Sequence, residues 1–311
     1  MNYFDIKKLK KAYDEGKNIS KLLRDKFNFK ENSSDIIEIA YDLQSGSYIN
    51  TLEKNFDKFK EHNQELVEFL LPYTSANSTF LDAGTGECTN LSLYFQNESL
   101  RAKKVFAFDI SWSRINVGIQ FWNKTVSRQD IEFIPFVSDI QKIPLPSKSI
   151  EILTTRHALE PNGGKLKECL KELFRVTSKY LILFEPHYEI ASDEGKKRMD
   201  SHGYIKNMEN TIKSIGGNLI SITPTKTNYS KLNPISCFVV EPPNLDKSTI
   251  IEEKLRNNYF TVPGTDYKLI EEGNFLYSPD TGYIFPVFNN IPVLKEKSSF
   301  IATDFCFNKI T

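Results

Sequence analysis

The stretch Phe80-Leu81-Asp82-Ala83-Gly84-Thr85-Gly86-Glu87-Cys88 decides the fold of this 311-residue chain. It joins an apolar strand that ends in an acid to two closely spaced glycines. Glycine is needed in such a turn because a Cβ would block the close approach of a ligand to the backbone. In open α/β sheets, ligands bind in the crevice at the carboxyl ends of the strands. The stretch therefore predicts a ligand-binding turn after a first strand.

Outward from this turn, short apolar runs alternate with segments of helical length. Five runs are predicted strands: Thr79–Asp82, Val105–Asp109, Ile131–Val137, Ile150–Leu153 and Tyr180–Phe184. Strands that alternate with helices form βαβ units, so the sheet should be mostly parallel. Two later runs, Asn218–Ile222 and Cys237–Val240, lie close together without a helix between them. They predict an antiparallel hairpin that closes a seven-stranded α/β sheet.

The two ends of the chain have different patterns. Before the sheet, residues 1–70 predict a helical N-terminal cap. In this cap Asp35 starts a helix with Glu38 three residues later, Tyr41–Tyr48 is a loop, and an amphipathic run covers Leu52–Leu71. After the sheet, Pro242-Pro243 cannot continue a strand ladder and mark a boundary. We therefore expect three domains: 1–70, a ligand-binding domain over 71–243, and a small β module over 244–311.

Composition narrows the class of protein. The chain carries 40 basic and 40 acidic residues, whereas proteins that grip nucleic acid usually show a basic excess. We therefore expect no nucleic-acid partner. The four cysteines form no CxxC pair, there is no secretory signal, and no apolar run approaches the ~18 residues of a membrane span. These observations predict a cytoplasmic protein with reduced thiols and no membrane partner.

Acids stand at the ends of the next two predicted strands. Asp109 ends the second strand, where a carboxylate can accept hydrogen bonds from both hydroxyls of a ribose. Asp139 ends the third, where it can accept one from an adenine amino group. A dinucleotide site would have a third glycine at Thr89, and its pyrophosphate would be repelled by Asp82. Three acids in register therefore favour an adenosine-containing ligand with a cationic group.

The stretch 79–241 resembles class I S-adenosylmethionine-dependent methyltransferases, with a first motif Asp82-x-Gly84-x-Gly86, a second at Asp109 and a third at Asp139-Ile140. The resemblance implies a Rossmann-like fold, S-adenosylmethionine as cofactor, and methyl transfer. It assigns cofactor-binding roles to Tyr41, Asp82, Ala83, Gly84, Gly86, Asp109, Ile110, Asp139, Ile140 and Arg156. Two departures stand out: Pro161 replaces the His that follows the Leu-Glu pair in many members, and Cys88 replaces the third glycine of the extended motif.

An SN2 methyl transfer needs aligned reactants first and a base second. Two of the four histidines, His157 and His187, fall at predicted strand ends beside acids, and imidazole titrates near neutrality. Either is a candidate to take the acceptor's proton. The acceptor residues are expected to be Gln44, Glu160, Asn162, Glu185 and Tyr188. A divalent metal held by His157, Glu160, Glu185, His187 and Glu189 is an alternative, but no motif spacing fixes those ligands, and we predict no metal.

These features predict O-methylation of a small hydroxylated metabolite. A general resemblance to methyltransferases of bacterial surface-polysaccharide pathways implies a sugar or a surface-glycan precursor. Two other hypotheses stay open: an RNA or protein methyltransferase, and a non-catalytic protein that binds S-adenosylmethionine. The basic stretch Glu194–Tyr204 is predicted to be a solvated helix or lid, although its cations could meet an anionic acceptor.

The C-terminal segment resembles small zinc-ribbon-like proteins that serve as methyltransferase activators. Where that family has two Cys-Pro-x-Cys knuckles, this chain has Val262-Pro-Gly-Thr265 and Ser278-Pro-Asp-Thr281. A structural zinc needs four N or S donors, so the resemblance implies a metal-free β module. We expect it to buttress the catalytic domain or to form the contact of a homodimer.

Overall fold

The computed structural model describes residues 5–227, 231–243 and 259–309. Five helices precede the sheet: α1 (Ile6–Asp14), α2 (Ile19–Phe27), α3 (Ser34–Asp42), α4 (Ser47–Lys54) and α5 (Phe56–Leu70). Side-chain oxygens of Asp5, Asn18 and Ser33 cap the first three by accepting from free backbone N–H groups, as short polar residues do at helix starts.

Local details of this cap differ from the sequence prediction. Ser33 is the N-cap of α3, because its hydroxyl accepts from the Ile36 N–H, and Asp35 lies in the first turn instead. The predicted loop shrinks to residues 43–46, between the end of α3 and the start of α4. The run expected as one helix breaks at Asn55, whose φ of −132° and ψ of 33° are not helical.

The central sheet has seven strands in the order β3-β2-β1-β4-β5-β7-β6. Strands β1 to β5 are parallel, whereas β7 pairs antiparallel with both β5 and β6. Their bounds are β1 (Thr79–Ala83), β2 (Lys104–Asp109), β3 (Glu132–Val137), β4 (Ile150–Arg156), β5 (Thr177–Pro186), β6 (Asn218–Pro224) and β7 (Ile235–Glu241). The predicted Rossmann-like sheet with a final hairpin is confirmed.

Helices cover both faces of this sheet. Along β1, Phe80 packs in one core and Leu81 in the other, because successive side chains of a strand point to opposite faces. Helices α5, α6 (Thr89–Phe95) and α7 (Trp112–Thr125) contribute to the Phe80 core, and α8 (Leu166–Val176) and α10 (Met208–Ser214) to the Leu81 core. Helix α9 (Asp193–His202) follows β5. Both faces of the parallel strands are therefore buried.

A small antiparallel sheet follows at the C-terminal end. It comprises β8 (Ile270–Glu272), β9 (Phe275–Tyr277), β10 (Tyr283–Phe288), β11 (Ile291–Pro292) and β12 (Phe300–Ile301), followed by α11 (Thr303–Phe307). It joins the large sheet where Val293 bridges Val137 and the Leu294 N–H donates to the Val137 carbonyl at 2.8 Å. The three-domain division stays a prediction, and the first residues of its last domain, 244–258, lie outside the described residues.

Two sequence features concern the chain's surroundings. All four cysteines are buried and unpaired with one another. Within the described residues, no helix is both long and apolar enough to cross a membrane.

Candidate active site

A cavity of about 470 Å³ opens at the carboxyl ends of the parallel strands. Its walls come from the turn after β1, the ends of β2 and β4, the loop after β3, and helices of the N-terminal cap. The residues predicted for the site that line it are Tyr41, Gly84, Gly86, Asp109, Ile110, Asp139, Ile140, Arg156, His157, Glu160 and Asn162. Such a volume lies within the ~300–1,000 Å³ typical of small-molecule sites.

The glycine turn after β1 forms one wall of the cavity. Gly84 and Gly86 have φ of +77° and +61°, which L side chains rarely adopt. The Gly84 N–H donates to the Phe108 carbonyl at 2.8 Å, so the turn is anchored to β2. A Cβ on Gly84 would lie 2.4 Å from the Cβ of Ala158. Both backbone conformation and space therefore require glycine here.

Asp109 faces this turn from the end of β2. Its Oδ2 accepts from the Gly86 N–H and its Oδ1 from the Ser111 N–H, both at 3.0 Å. These two bonds fix the carboxylate at the mouth of the turn, where a bound hydroxyl pair can reach it.

Arg114 of α7 is a cavity residue that the sequence analysis missed. Its Nη1 lies 3.9 Å from Asp109 Oδ2, and its Nε lies 3.9 Å from Glu87 Oε1. The rings of Tyr41 and Tyr48 flank the guanidinium at 5.4 and 4.5 Å. The two carboxylates raise the pKa of Arg114 against the opposing effect of its burial. The group is a fixed cation beside the glycine turn.

Glu87 ties the N-terminal cap to the cavity. Its carboxylate is buried and accepts from the backbone N–H groups of Gly46 at 3.0 Å and Ile49 at 2.9 Å, at the start of α4. Helix α4 therefore lies over the glycine turn. This contact brings Tyr48 into the cavity, and no local sequence signal predicted it.

Asp139 lies in the loop two residues beyond β3, rather than at the strand end predicted for it. Its Oδ1 accepts from the Gln141 N–H at 2.9 Å, which holds the carboxylate in the loop. Asp139 lines the cavity together with Ile140 and Ile110.

His157 follows β4 and has a φ of +55°, unusual for a residue with a side chain. Its Nδ1 lies 2.5 Å from Oε2 of Glu160. Burial lowers the pKa of His157, but the Glu160 carboxylate outweighs it, and the net pKa is raised above 6.5. The pair is a hydrogen-bonded imidazole–carboxylate dyad in the cavity wall.

Glu185 of β5 holds the turn that carries His157. Its Oε1 accepts from the N–H groups of Ala158 at 3.0 Å and Leu159 at 3.1 Å. The side chain is fully buried, and burial raises its pKa to about 7. Glu185 therefore lies behind the cavity wall and positions the backbone, instead of facing an acceptor.

Five further predicted residues also lie outside the cavity lining: Asp82, Ala83, Gln44, His187 and Tyr188. Asp82 and Ala83 are buried within β1, and burial raises the pKa of Asp82 to about 7. The Gln44 amide donates to the Ala40 carbonyl of the preceding helix, α3, at 3.1 Å. The Nδ1 of His187 lies 2.9 Å from the Ser236 hydroxyl on β7.

Tyr188 turns away from the cavity toward α9. Its hydroxyl donates to Asp200 at 3.3 Å, and Lys206 lies over its ring. Of the two candidate bases, the structure therefore brings only His157 together with the glycine turn and the strand-end acids.

The cavity is also lined by residues of the segment predicted as a helix or lid and of the approach to β7. Arg198 comes from α9, Tyr204 from the segment after it, and Asn233 from the approach to β7. Asn233 Nδ2 lies 3.5 Å from Glu160 Oε2. Glu160 also acts on Tyr204, whose ring lies 5.8 Å from the Arg198 guanidinium carbon. The part of the cavity around the His157–Glu160 dyad is therefore polar.

The five residues weighed as metal ligands are not gathered in one place. Over residues 5–227, 231–243 and 259–309, the structure forms no group of three or more His, Cys, Asp or Glu side chains that could hold a metal ion.

Comparison with known proteins identifies the fold. No protein-family model and no curated protein sequence matches the chain. Among solved structures, magnesium protoporphyrin IX methyltransferase from Synechocystis PCC 6803 matches with a TM-score of 0.51 and 12% identity, over 67% of this chain and 99% of that one. The chain has the class I S-adenosylmethionine-dependent methyltransferase fold.

Two more solved methyltransferases are similar over a smaller share. One from Methanosarcina mazei has a TM-score of 0.47 and 14% identity, covering 57% of this chain and 98% of that one. One from Aquifex aeolicus has a TM-score of 0.41 and 20% identity, covering 56% and 88%.

Proposed function

We propose that this protein is an S-adenosylmethionine-dependent methyltransferase that methylates a small, hydroxylated acceptor. One observation carries the proposal. A single cavity brings the glycine turn and the acids Asp109 and Asp139 together with the His157–Glu160 dyad. The first set of groups suits an adenosine-containing cofactor, and the second suits removal of a proton from an acceptor.

The residues present fit this cofactor. Gly86 lines the cavity at a positive φ, and a Cβ there would lie 2.4 Å from the Arg114 guanidinium. Gly84 and Gly86 would bound the methionine portion, Asp109 would hold the ribose hydroxyls, and Asp139 with Ile140 would receive the adenine. The cofactor, when bound, supplies a methyl group activated by positively charged sulfur.

The chain's own part in the reaction is to orient the acceptor and hold its proton. Glu160 engages Nδ1 of His157, so the neutral imidazole takes the acceptor's proton at Nε2. The carboxylate stabilises the imidazolium that forms and keeps the ring in one orientation. Glu185 fixes the backbone of the same turn through two N–H bonds. The dyad is therefore held in place before the acceptor arrives.

The size and polarity of the cavity favour a small polar acceptor, and sugars come first among the candidates.

The proposal includes a cytoplasmic location and, for the C-terminal module, a role as buttress or homodimer contact.

Calorimetry with S-adenosylmethionine and S-adenosylhomocysteine tests the cofactor. Mass spectrometry of products from a panel of hydroxylated metabolites then tests transfer. We expect binding and at least one methylated product. Absence of binding by the wild type would overturn the proposal. Binding without any product would favour a non-catalytic protein, and retention of bulk RNA on filters at low salt would favour an RNA methyltransferase.

A further inference from the structure

We infer that the methyl acceptor carries a carboxylate and that Arg198 binds it, an inference that rests on the proposed function and names its substrate class. The observation behind it is an unpaired guanidinium in the wall of the cavity that also holds the His157–Glu160 dyad. Three arginines line the cavity, and only one of them has no acidic or hydrogen-bonding partner for its guanidinium among the described residues.

Arg114 has Asp109 and Glu87 within 3.9 Å, and Arg156 hydrogen-bonds to Asn90. Arg198 differs from both. Across residues 5–227, 231–243 and 259–309, no carboxylate forms an ion pair with it, and its buried Nη1 has no hydrogen-bond partner. Its one recorded neighbour is the ring of Tyr204, 5.8 Å from the guanidinium carbon. Buried polar groups are nearly always paired in folded proteins, so this donor is available to a ligand.

A second unpaired group indicates what else the ligand carries. Asn233 lines the same end of the cavity, and its buried Oδ1 has no donor among the described residues. Its Nδ2 lies 3.5 Å from Glu160 Oε2, so the amide is next to the dyad. An acceptor hydroxyl can donate to Oδ1 there. The unpaired guanidinium of Arg198 fits a carboxylate, and the unpaired amide oxygen of Asn233 fits a hydroxyl group. A ligand that carries both groups is a hydroxycarboxylic acid.

A carboxylate fits this end better than a phosphate does. The planar fork of one guanidinium matches the two oxygens of a carboxylate. A phosphate monoester carries up to two negative charges, and the Glu160 carboxylate next to Asn233 would repel a dianion more strongly than a monoanion. This repulsion favours a carboxylate.

Backbone contacts hold Arg198 and the dyad together before any ligand binds. The Ile205 N–H donates to the Glu160 carbonyl and the Gly163 N–H to the Gly203 carbonyl, both at 3.2 Å. The buried Arg24 donates to the Ser201 carbonyl at 3.2 Å, which attaches the end of α9 to α2. The guanidinium is thus carried on a fixed helix, as an acceptor-binding group requires.

The experiment compares matched probes, with and without saturating S-adenosylhomocysteine. Glucuronate is compared with glucose and glucose 6-phosphate, and 4-hydroxybenzoate with 4-hydroxybenzamide. Thermal shift measures binding, and mass spectrometry with S-adenosylmethionine measures methylation. We expect at least one carboxylate to bind and its neutral and phosphorylated partners to bind at least ~10-fold more weakly. Failure of S-adenosylhomocysteine to bind would count against the proposed function alone, because the carboxylates are also measured without it.

Variants assign the effect to one residue. Arg198→Gln should weaken carboxylate binding by about 10- to 100-fold, the loss typical of a charged hydrogen bond, and leave the Kd of S-adenosylhomocysteine unchanged. Arg198→Lys should recover part of the lost carboxylate affinity. Lys197→Gln removes an exposed cation from the same helix and should change neither carboxylate binding nor the Kd of S-adenosylhomocysteine. The inference fails if the neutral or phosphorylated probes bind as well as the carboxylates, if no carboxylate binds, or if Arg198→Gln behaves like Lys197→Gln.

Discussion

The Nδ1 of His157 lies 2.5 Å from the Oε2 of Glu160, on a turn whose first residue has a positive φ. This arrangement couples the imidazole that we propose as the base to a carboxylate three residues away in the sequence. Glu160 outweighs the effect of burial and raises the pKa of the His157 imidazole above 6.5. The imidazole therefore becomes protonated as the pH falls through this raised pKa.

The first prediction concerns the pH profile of methyl transfer. Only neutral His157 accepts a proton, so kcat/KM should fall as the pH drops through the raised pKa of this residue. Glu160→Gln removes the group that raises the pKa, and we expect the acid limb to move to lower pH while the plateau falls. Measured rates of methyl transfer between pH 5 and 9 check both effects.

His187→Gln distinguishes the two candidate bases in the same assay. The imidazole of His187 bonds to the Ser236 hydroxyl outside the cavity lining. We expect this variant to keep the acid limb in its wild-type position. A limb that moves with His187→Gln and stays with Glu160→Gln would assign the base to His187.

The second prediction concerns Asp109 and the cofactor. Asp109→Ala removes the carboxylate at the mouth of the glycine turn, and the Kd of S-adenosylhomocysteine should rise by about 10- to 100-fold, the loss expected for charged hydrogen bonds. Calorimetry measures it. Asp25→Ala, which removes an exposed carboxylate from α2, is the control. Equal affinities for the two variants would contradict the ribose role of Asp109.

The third prediction separates two costs of replacing Gly84 in the glycine turn, backbone strain and steric overlap. Gly273, between β8 and β9, also has a positive φ and is the reference for strain alone. Gly273→Ala should cost about 1–2 kcal/mol of unfolding free energy, the penalty of a Cβ in the left-handed region, because nothing lies within 4 Å of the added atom. Gly84→Ala should cost about 1–3 kcal/mol more, since its Cβ overlaps Ala158. Urea denaturation of both variants provides the comparison, and equal losses would remove the crowding argument.

The fourth prediction concerns the attachment of the C-terminal module to α3. Two lysines between β11 and β12 of the module pair with acids of α3. Lys295 pairs with Glu38 and Lys297 with Asp35, each at 2.5 Å. The first pair is largely shielded from water, with side chains 14% and 35% exposed, whereas the second is 71% and 58% exposed. Double-mutant cycles to Ala should give a coupling of about 1–2 kcal/mol for the first pair and below about 0.5 kcal/mol for the second.

The two cycles use the same two segments of chain, so the exposed pair is the control for the shielded one. Couplings of the same size would mean that burial does not strengthen the contact between module and helix.

The strands and the strand-end acids could be predicted because they depend on local pattern. Apolar runs of strand length, separated by helical lengths, specify a parallel sheet, and their acids then fall at one edge. Asp109 and His157 were found in this way.

Other parts of the site could not be found from local pattern. Arg114 occurs in a helix whose sequence does not show which face meets a cavity. For Arg198, the sequence indicated only that cations of Glu194–Tyr204 could meet an anionic acceptor, and it did not show which of them lines the cavity. Asn233 joins the site only through the antiparallel pairing of β7 with β5. The same pairing brings Ser236 beside His187, so a histidine that looked catalytic became a hydrogen-bonded neighbour of β7.

The bridge between Val137 and Val293 has a consequence for solubility. β3 is an edge of the large sheet, and an exposed edge is a template for aggregation. The Leu294 N–H donates to the Val137 carbonyl, so the backbone of the C-terminal module pairs with part of this edge. The opposite edge strand, β6, ends at Pro224, which cannot donate to a further strand. Removing the C-terminal module would therefore be expected to promote aggregation through β3, even where the sheet itself still folds.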